Sequence, residues 1–292
     1  MPRRIGWIPS IGTCSSLLLA ALSMGAPARV ANAQAAVPAR APVLWIARES
    51  VRPGHEMMHT RHETEWAAAM NAAGFKTPML GMVSVTGVPE AWWIVRGASF
   101  ADLDDALAAF ADPKVAAVME KYSSADAAHM SQWRGMQLAH RADLSNGEPA
   151  NIALARGMDV GIWRIKPGHD DRFTEAVKVW NTLVARAGVK ASFAVYEVVS
   201  GAPSGTYYTL AALRSGEHYD LMMADQPKIL GKATAEEGAV LGKFLTESVI
   251  SSESSRFAFD PNISVATPEM MAQDAAYWTP SWKKKMPMKP RP

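Results

Sequence analysis

The chain carries the same stretch of sequence twice, which limits its fold more than any other feature. Val51-Arg52-Pro53-Gly54-His55-Glu56 recurs 114 residues later as Ile165-Lys166-Pro167-Gly168-His169-Asp170. The same offset pairs Thr60 with Thr174, Trp66 with Trp180, Ala73-Gly74 with Ala187-Gly188, Gly87 with Gly201, and Pro113-Lys114 with Pro227-Lys228. Small insertions then shift the offset to 119, where Leu138-Ala139-His140 meets Phe257-Ala258-Phe259 and Leu144-Ser145 meets Ile263-Ser264. An ordered series of matches means an internal duplication, so the chain is built from one unit used twice.

Both copies have one element order. A strand over 43–51 or 158–165 runs into Pro-Gly, and a helical pattern then lasts to Gly74 or Gly188, residues suited to a helix stop. Two strands follow, 79–86 and 92–96 in the first copy and 193–200 and 207–213 in the second, joined by Gly- and Pro-bearing loops. A helical region capped by Ser99 breaks near Pro113 or Pro227 and resumes. A last strand, 136–144 or 255–263, closes each copy. The order β-α-β-β-α-β is the ferredoxin-like unit. The fold class is therefore α+β: two tandem ferredoxin-like units over 43–146 and 147–264. Each sheet leaves one apolar face uncovered, so the two sheets should face each other and form an α/β barrel.

Two such units with a Val-x-Pro-Gly-His turn opening the first helix resemble the dimeric α/β-barrel superfamily, fused in tandem. Within it the chain is most similar to the NIPSNAP-like and antibiotic-biosynthesis-monooxygenase-like groups. The resemblance covers about 43–264 and implies the barrel fold. Its members include cofactor-free oxygenases, haem-degrading and haem-peroxidase enzymes, isomerases and proteins without known chemistry, so fold alone does not choose an activity.

The first residues read as a secretory signal peptide: a basic Pro2-Arg3-Arg4 start, an apolar run densest at Leu17–Leu22, and small residues at Ala31-Asn32-Ala33. Cleavage near Ala33 would leave 34–42 as a linker and place the product in a periplasm or outside the cell. Pro9, Gly12, Ser15 and Ser16 interrupt the run, which argues against an anchor, and no other segment is long and apolar enough to span a bilayer. Cys14 is the one cysteine and lies before the Leu-rich run, so the mature chain would have no disulfide, thiol nucleophile or cysteine-bound metal. Residues 1–33 hold three arginines and no acid, and 265–292 hold five Lys/Arg against two acids, so the body between them is acidic by about four charges. An acidic body argues against nucleic acid as a partner.

Candidate chemistry emerges from comparing the copies. In the second, Phe173, Ala176, Val177, Trp180, Leu183 and Val184 follow helical spacing and form an apolar face. The first copy has His59, His62, Glu63, Trp66, Ala69 and Met70 at those positions, and His140 stands opposite Phe259. An ionisable group facing a core costs several kcal/mol unless paired or liganded, so the first unit should hold a polar pocket between helix and sheet. His59, His62, Glu63 and His140 are the candidate catalytic residues, with Trp66, Met70, Trp92 and Trp93 as ligand-binding neighbours. A solvated or structurally satisfied cluster would give the same pattern. His55-Glu56-Met57-Met58-His59 matches the H-E-x-x-H zinc-hydrolase motif, but Pro53-Gly54 puts His55 in the first helical turn and the second copy has Phe173 in place of His59. His55 and His169 suit a turn or capping role, and His129 shows no helpful neighbours.

Residues 265–292, rich in Pro and Lys, read as an extended or disordered tail, or else as an aromatic-basic arm (Tyr277, Trp278 and Trp282 followed by lysines) that packs on the body or touches an anionic surface. Two function classes stay open: a small-molecule-binding protein or enzyme of oxygenase- or haem-related type using the first-unit pocket, and a non-catalytic exported interaction protein. The pocket as read requires no cofactor, and haem or a divalent metal is compatible with it. The barrel closes either within one chain, as a monomer, or between two, as a homodimer.

Overall fold

A computed structural model of the chain describes residues 40–284. The expected signal peptide, residues 34–39 of the linker and residues 285–292 lie outside the described residues. The first unit comprises β1 (Val43–Val51), α1 (Glu56–Ala72), β2 (Leu80–Ser84), β3 (Glu90–Gly97), α2 (Phe100–Ala108), α3 (Pro113–Asp126) and β4 (Met130–His140). The second comprises β5 (Gly157–Ile165), α4 (Asp170–Ala187), β6 (Ala194–Ser200), β7 (Thr206–Leu213), α5 (Gly216–Leu230), α6 (Ala235–Lys243) and β8 (Val249–Phe259). A further helix, α7 (Pro268–Trp278), follows. Among the described residues no helix is long and apolar enough to cross a membrane.

The strands form one closed antiparallel barrel in the order β1-β3-β2-β8-β5-β7-β6-β4. Each unit contributes four adjacent strands, and the units meet at two seams. At one, β2 pairs with β8 through Met82↔Phe259 and Val83↔Ala258. At the other, β4 pairs with β6 through Leu138↔Val198 and Ala139↔Glu197. The barrel therefore closes within a single chain, with two ferredoxin-like units in tandem.

Strand alternation divides the apolar residues into two layers. Leu44, Ile46, Met82, Trp92, Ile94, Met136 and Leu138 of the first unit point into the barrel, where they meet Met158, Val160, Tyr208, Leu210, Phe257 and Phe259 of the second. Val43, Ala47, Ala91, Trp93 and Val95 point outward and are covered by Trp66 and Met70 of α1, Leu103 of α2 and Val115 of α3. The Pro-Gly turn that opens each first helix needs its glycine, since Gly54 and Gly168 hold φ of +86° and +79°, where an L side chain is strained. Asp112 caps α3 by accepting from the Lys114 and Val115 backbone N–H, with Pro113 at the first helical position.

Three expectations change. The last strands begin at Met130 and Val249, six residues early, because the polar segments there pair along β1 and β5 without the alternation that marks a half-buried strand. Pro227 lies in the last turn of α5, and the break comes after Gly231, where Thr234 and Glu237 form a capping box that starts α6. The segment after Val265 is not extended throughout. Val265 bridges to Met79, Thr267 caps α7, and Trp278 is buried in the barrel's own apolar cluster with its indole N–H donating to the Ala153 carbonyl at 2.8 Å. Arg156 stacks on Tyr277 and pairs with Asp274, fixing the helix from its polar side.

Candidate functional site

The outward face of β1 would be uniformly apolar but for Glu49, which lies under α1. The first turns of α1 place His59 and Glu63 one turn apart on the face turned to the sheet, and α3 ends at Asp126 beside them. His59 and Asp126 are fully buried and Glu63 nearly so. The His59 Nε2 lies 3.0 Å from Glu49 Oε2 and 3.3 Å from Asp126 Oδ2. One potential ligand atom from each of Glu49, His59, Glu63 and Asp126 lies within 4.8 Å of the others.

This arrangement is electrostatically costly. Neither carboxylate oxygen of Asp126 makes a hydrogen bond, and among the described residues the Glu63 carboxylate has no hydrogen-bond or ion-pair partner. Burial pushes the Glu63 carboxyl well above the usual carboxylate range, and the negative charges of Glu49 and Asp126 push it further. Burial likewise raises Glu49, with the His59 contact working against it, and raises Asp126 against the pull of His59, His129 and His62.

The carboxylates form one end of a cavity of about 340 Å³ between the sheet and helices α1 and α3. Trp45, Trp66, Trp93, Phe110, Met119 and Tyr122 form most of its wall, and among the described residues neither Lys nor Arg lines it. Trp66 and Trp93 meet edge-on at 5.7 Å, and the Trp66 indole N–H donates to the Met119 sulfur at 3.2 Å. At the same place in the second unit, Trp163, Phe173, Val177 and Phe244 pack together, and Phe173 stacks on Tyr207 at 4.1 Å. One scaffold thus holds an apolar plug in one half and a buried His-carboxylate cluster in the other.

The candidate residues named from sequence do not all meet here. His59 and Glu63 do. His62 lies alongside, its Nδ1 buried without a hydrogen bond and its ring 5.2 Å from that of His129. His140 does not belong to the site. It lies on the inward face of β4, bonded to Ser145 Oγ at 2.9 Å, while Glu49 faces outward opposite Trp133. Seven residues separate Trp133 from His140, which at the strand rise is about 23 Å. Of the expected ligand neighbours, Trp66 and Trp93 line the cavity, and Met70 is buried in the layer beyond it. Trp92 alternates to the barrel interior, where its N–H donates to Glu90 and its ring packs on Phe257.

Sequence reading did not find Glu49, Asp126 or the role of His129. Glu49 was detectable, since it breaks an outward-facing set whose second-copy counterpart is Trp163; Asp126 sits where insertions blur the repeat. His129 shares a hydrogen bond with His55, Nδ1 to Nδ1 at 2.9 Å, so His55 ties the helix start to the β4 approach rather than capping α1. His169 does the same with Ser248. The H-E-x-x-H residues form no shared centre: His55 faces His129, His59 faces Glu49, and Glu56 is exposed. Haem does not fit either. Its two carboxylates would face three more with no cation lining the wall, and the adjacent imidazole, His59, already directs Nε2 at Glu49.

No protein-family model matches the sequence, and no curated protein is significantly similar to it. Solved structures are similar to most of the chain at low identity. A candidate monooxygenase from Fusobacterium nucleatum is 7% identical over 75% of this chain and 92% of its own, with a TM-score of 0.48. An anthrone oxidase-like protein is 12% identical over 74% and 90%, with a TM-score of 0.49. A mutant chlorite dismutase from Candidatus Nitrospira defluvii is 10% identical over 81% and 97%, with a TM-score of 0.46. At this distance the likeness concerns architecture, and the site must be read from its own residues.

Proposed function

We propose that this is an exported small-molecule-binding protein or enzyme whose first unit takes a neutral aromatic molecule with a hydroxyl donor, of the phenol or hydroquinone class. The observation that carries this is the contrast between the two halves: a cavity with an acidic floor in one, a plug of Trp, Phe and Val in the other. Aromatic walls favour a flat ring, and in the metal-free cavity three carboxylates with no Lys or Arg beside them favour a donor and repel an anion. Electron-rich phenols are also substrates suited to oxygen chemistry, which keeps the reading on the oxygenase side of the resemblance. The basic, Leu-rich, Ala-ended leader supports export.

The test is a titration of the chelator-stripped chain with 2-naphthol and with 2-naphthoate, followed by tryptophan fluorescence, because Trp45, Trp66, Trp93 and Trp133 surround the cavity. The expected result is saturable quenching by 2-naphthol, at least tenfold weaker binding of 2-naphthoate, and loss of both in the His59→Phe/Glu63→Val double variant, which copies the second unit. Equal binding of the two probes, or unchanged 2-naphthol binding by the double variant, would overturn the reading.

A further inference from the structure

We propose that Glu49, His59, Glu63 and Asp126 bind one divalent first-row metal ion of the Mn²⁺ or Fe²⁺ class at the acidic end of the cavity. This deepens the pocket reading above and rests on it for its setting. It stands on three observations of different kinds.

Geometry comes first. Metal–ligand bonds of roughly 2.1 Å put two ligands at right angles about 3.0 Å apart and two opposed ligands about 4.2 Å apart. The His59 Nε2 to Glu49 and Asp126 distances are 3.0 and 3.3 Å, and all four donors fall within 4.8 Å. A contraction of a few tenths of an ångström would seat an ion among them. The second observation is the unmet demand for positive charge. Asp126, 3% exposed, has two oxygens without hydrogen bonds, one of them 3.3 Å from His59 Nε2, and among the described residues Glu63 joins it unpaired. Buried carboxylates are paired, protonated or coordinated, and among the described residues no Lys or Arg lines this cavity. The third is the second unit, where the positions of Glu49, His59 and Glu63 are Trp163, Phe173 and Val177, packed with Phe244. The fold does not need these charges in order to close.

The donor set selects the class of ion. Three carboxylates favour hard, oxygen-seeking ions such as Mg²⁺, Ca²⁺ and Mn²⁺, whereas an imidazole favours Fe²⁺ and later ions. Mn²⁺ and Fe²⁺ satisfy both preferences. Because Glu49, Glu63 and Asp126 also line the cavity, an ion they hold would face its contents, within reach of a phenolic oxygen.

The experiment uses the full chain, stripped with a chelator and titrated with Mn²⁺ alone while the free-ion paramagnetic resonance signal is followed. Ca²⁺ and Mg²⁺ serve as competitors. One equivalent per chain is expected to lose its signal, with binding weakened at least tenfold in Asp126→Asn and in Glu49→Gln and unchanged in His140→Phe. In the wild-type chain, bound Mn²⁺ should broaden the imidazole proton resonances of His59 and His62 and leave those of His140 sharp, a readout that needs no variant to fold. No stoichiometric uptake, wild-type affinity in Asp126→Asn, or broadening that spares His59 would each overturn the proposal. If the stripped chain binds 2-naphthol and takes up no Mn²⁺, the metal inference fails alone; if it takes up Mn²⁺ at these residues and binds no naphthol, the aromatic-ligand reading fails alone.

Discussion

His59 and His140 looked alike from sequence, each an ionisable residue opposite a phenylalanine in the other copy, yet they stand on opposite faces of the sheet. His140 has an environment of its own. Burial lowers its pKa, the Arg40 guanidinium lowers it further, and Asp143 opposes both, while Tyr196 packs on the ring at 5.1 Å. A histidine whose folded-state pKa is depressed binds a proton less readily folded than unfolded. Its contribution to stability is therefore lost as the pH falls below the unfolded value of about 6.5 toward the depressed one. His140→Phe should flatten the melting-temperature profile between pH 7 and 5 and leave 2-naphthol binding unchanged. An unaltered profile would show that other groups control the acid limb. The comparison of copies was a guide to position for His59 and Glu63 because both lie on a helix, where the duplicated spacing fixes the face. On β4 it was not, because inward and outward positions alternate and a shifted offset does not say which core a residue faces. Asp126 was invisible for a related reason: it sits at a helix end where the copies differ in length, and its importance comes only from contacts across the chain.

At the scale of elements, the order of strands and helices could be read because it rests on local signals: Pro-Gly turns, Gly stops and alternating hairpins. The element that was misjudged is α7. Its composition, with several Pro and Lys, suggested an extended tail. Yet Thr267-Pro268-Glu269 carries a helix start, with a capping hydroxyl and Pro at the first helical position. Composition averaged over 28 residues hid a signal of three. Burial of Trp278 in the barrel's apolar cluster, 6.1 Å from the Phe259 ring, makes α7 part of the core. Trp278→Ala should cost about 3–5 kcal/mol, the range for a buried large aromatic. At roughly 2–4 °C per kcal/mol for a chain of this size, the melting temperature should fall by on the order of 10 °C. A fall under about 3 °C by calorimetry would mean that the helix rests on the body without sealing it.

For the whole molecule, the decisive feature is that neither unit owns the barrel interior. Trp92 of the first unit packs on Tyr208 and Phe257 of the second at 5.9 and 4.7 Å, so the barrel interior exists only when both sheets are present. Each four-stranded sheet alone would expose that apolar face and two unpaired strand edges, the condition that favours association with another chain. Duplication in one chain supplies the second sheet at high effective concentration and frees the two halves to diverge. One keeps an apolar plug beneath its helices, and the other can carry a buried charged cluster whose cost is borne by the shared barrel. Unfolding should accordingly be a single event. Phe257→Ala, a second-unit change, should destabilise the chain by about 3–5 kcal/mol. It should also shift the denaturant midpoint seen by tryptophan fluorescence, much of it from the first-unit cavity, as far as the midpoint seen by far-ultraviolet circular dichroism. Coincident transitions in the wild type and the variant are the signature of one cooperative unit. If the fluorescence midpoint stayed in place while the dichroism midpoint moved, the two halves would be folding as separate beads. The stability of the first-unit pocket would then have to come from its own helices rather than from the closed barrel.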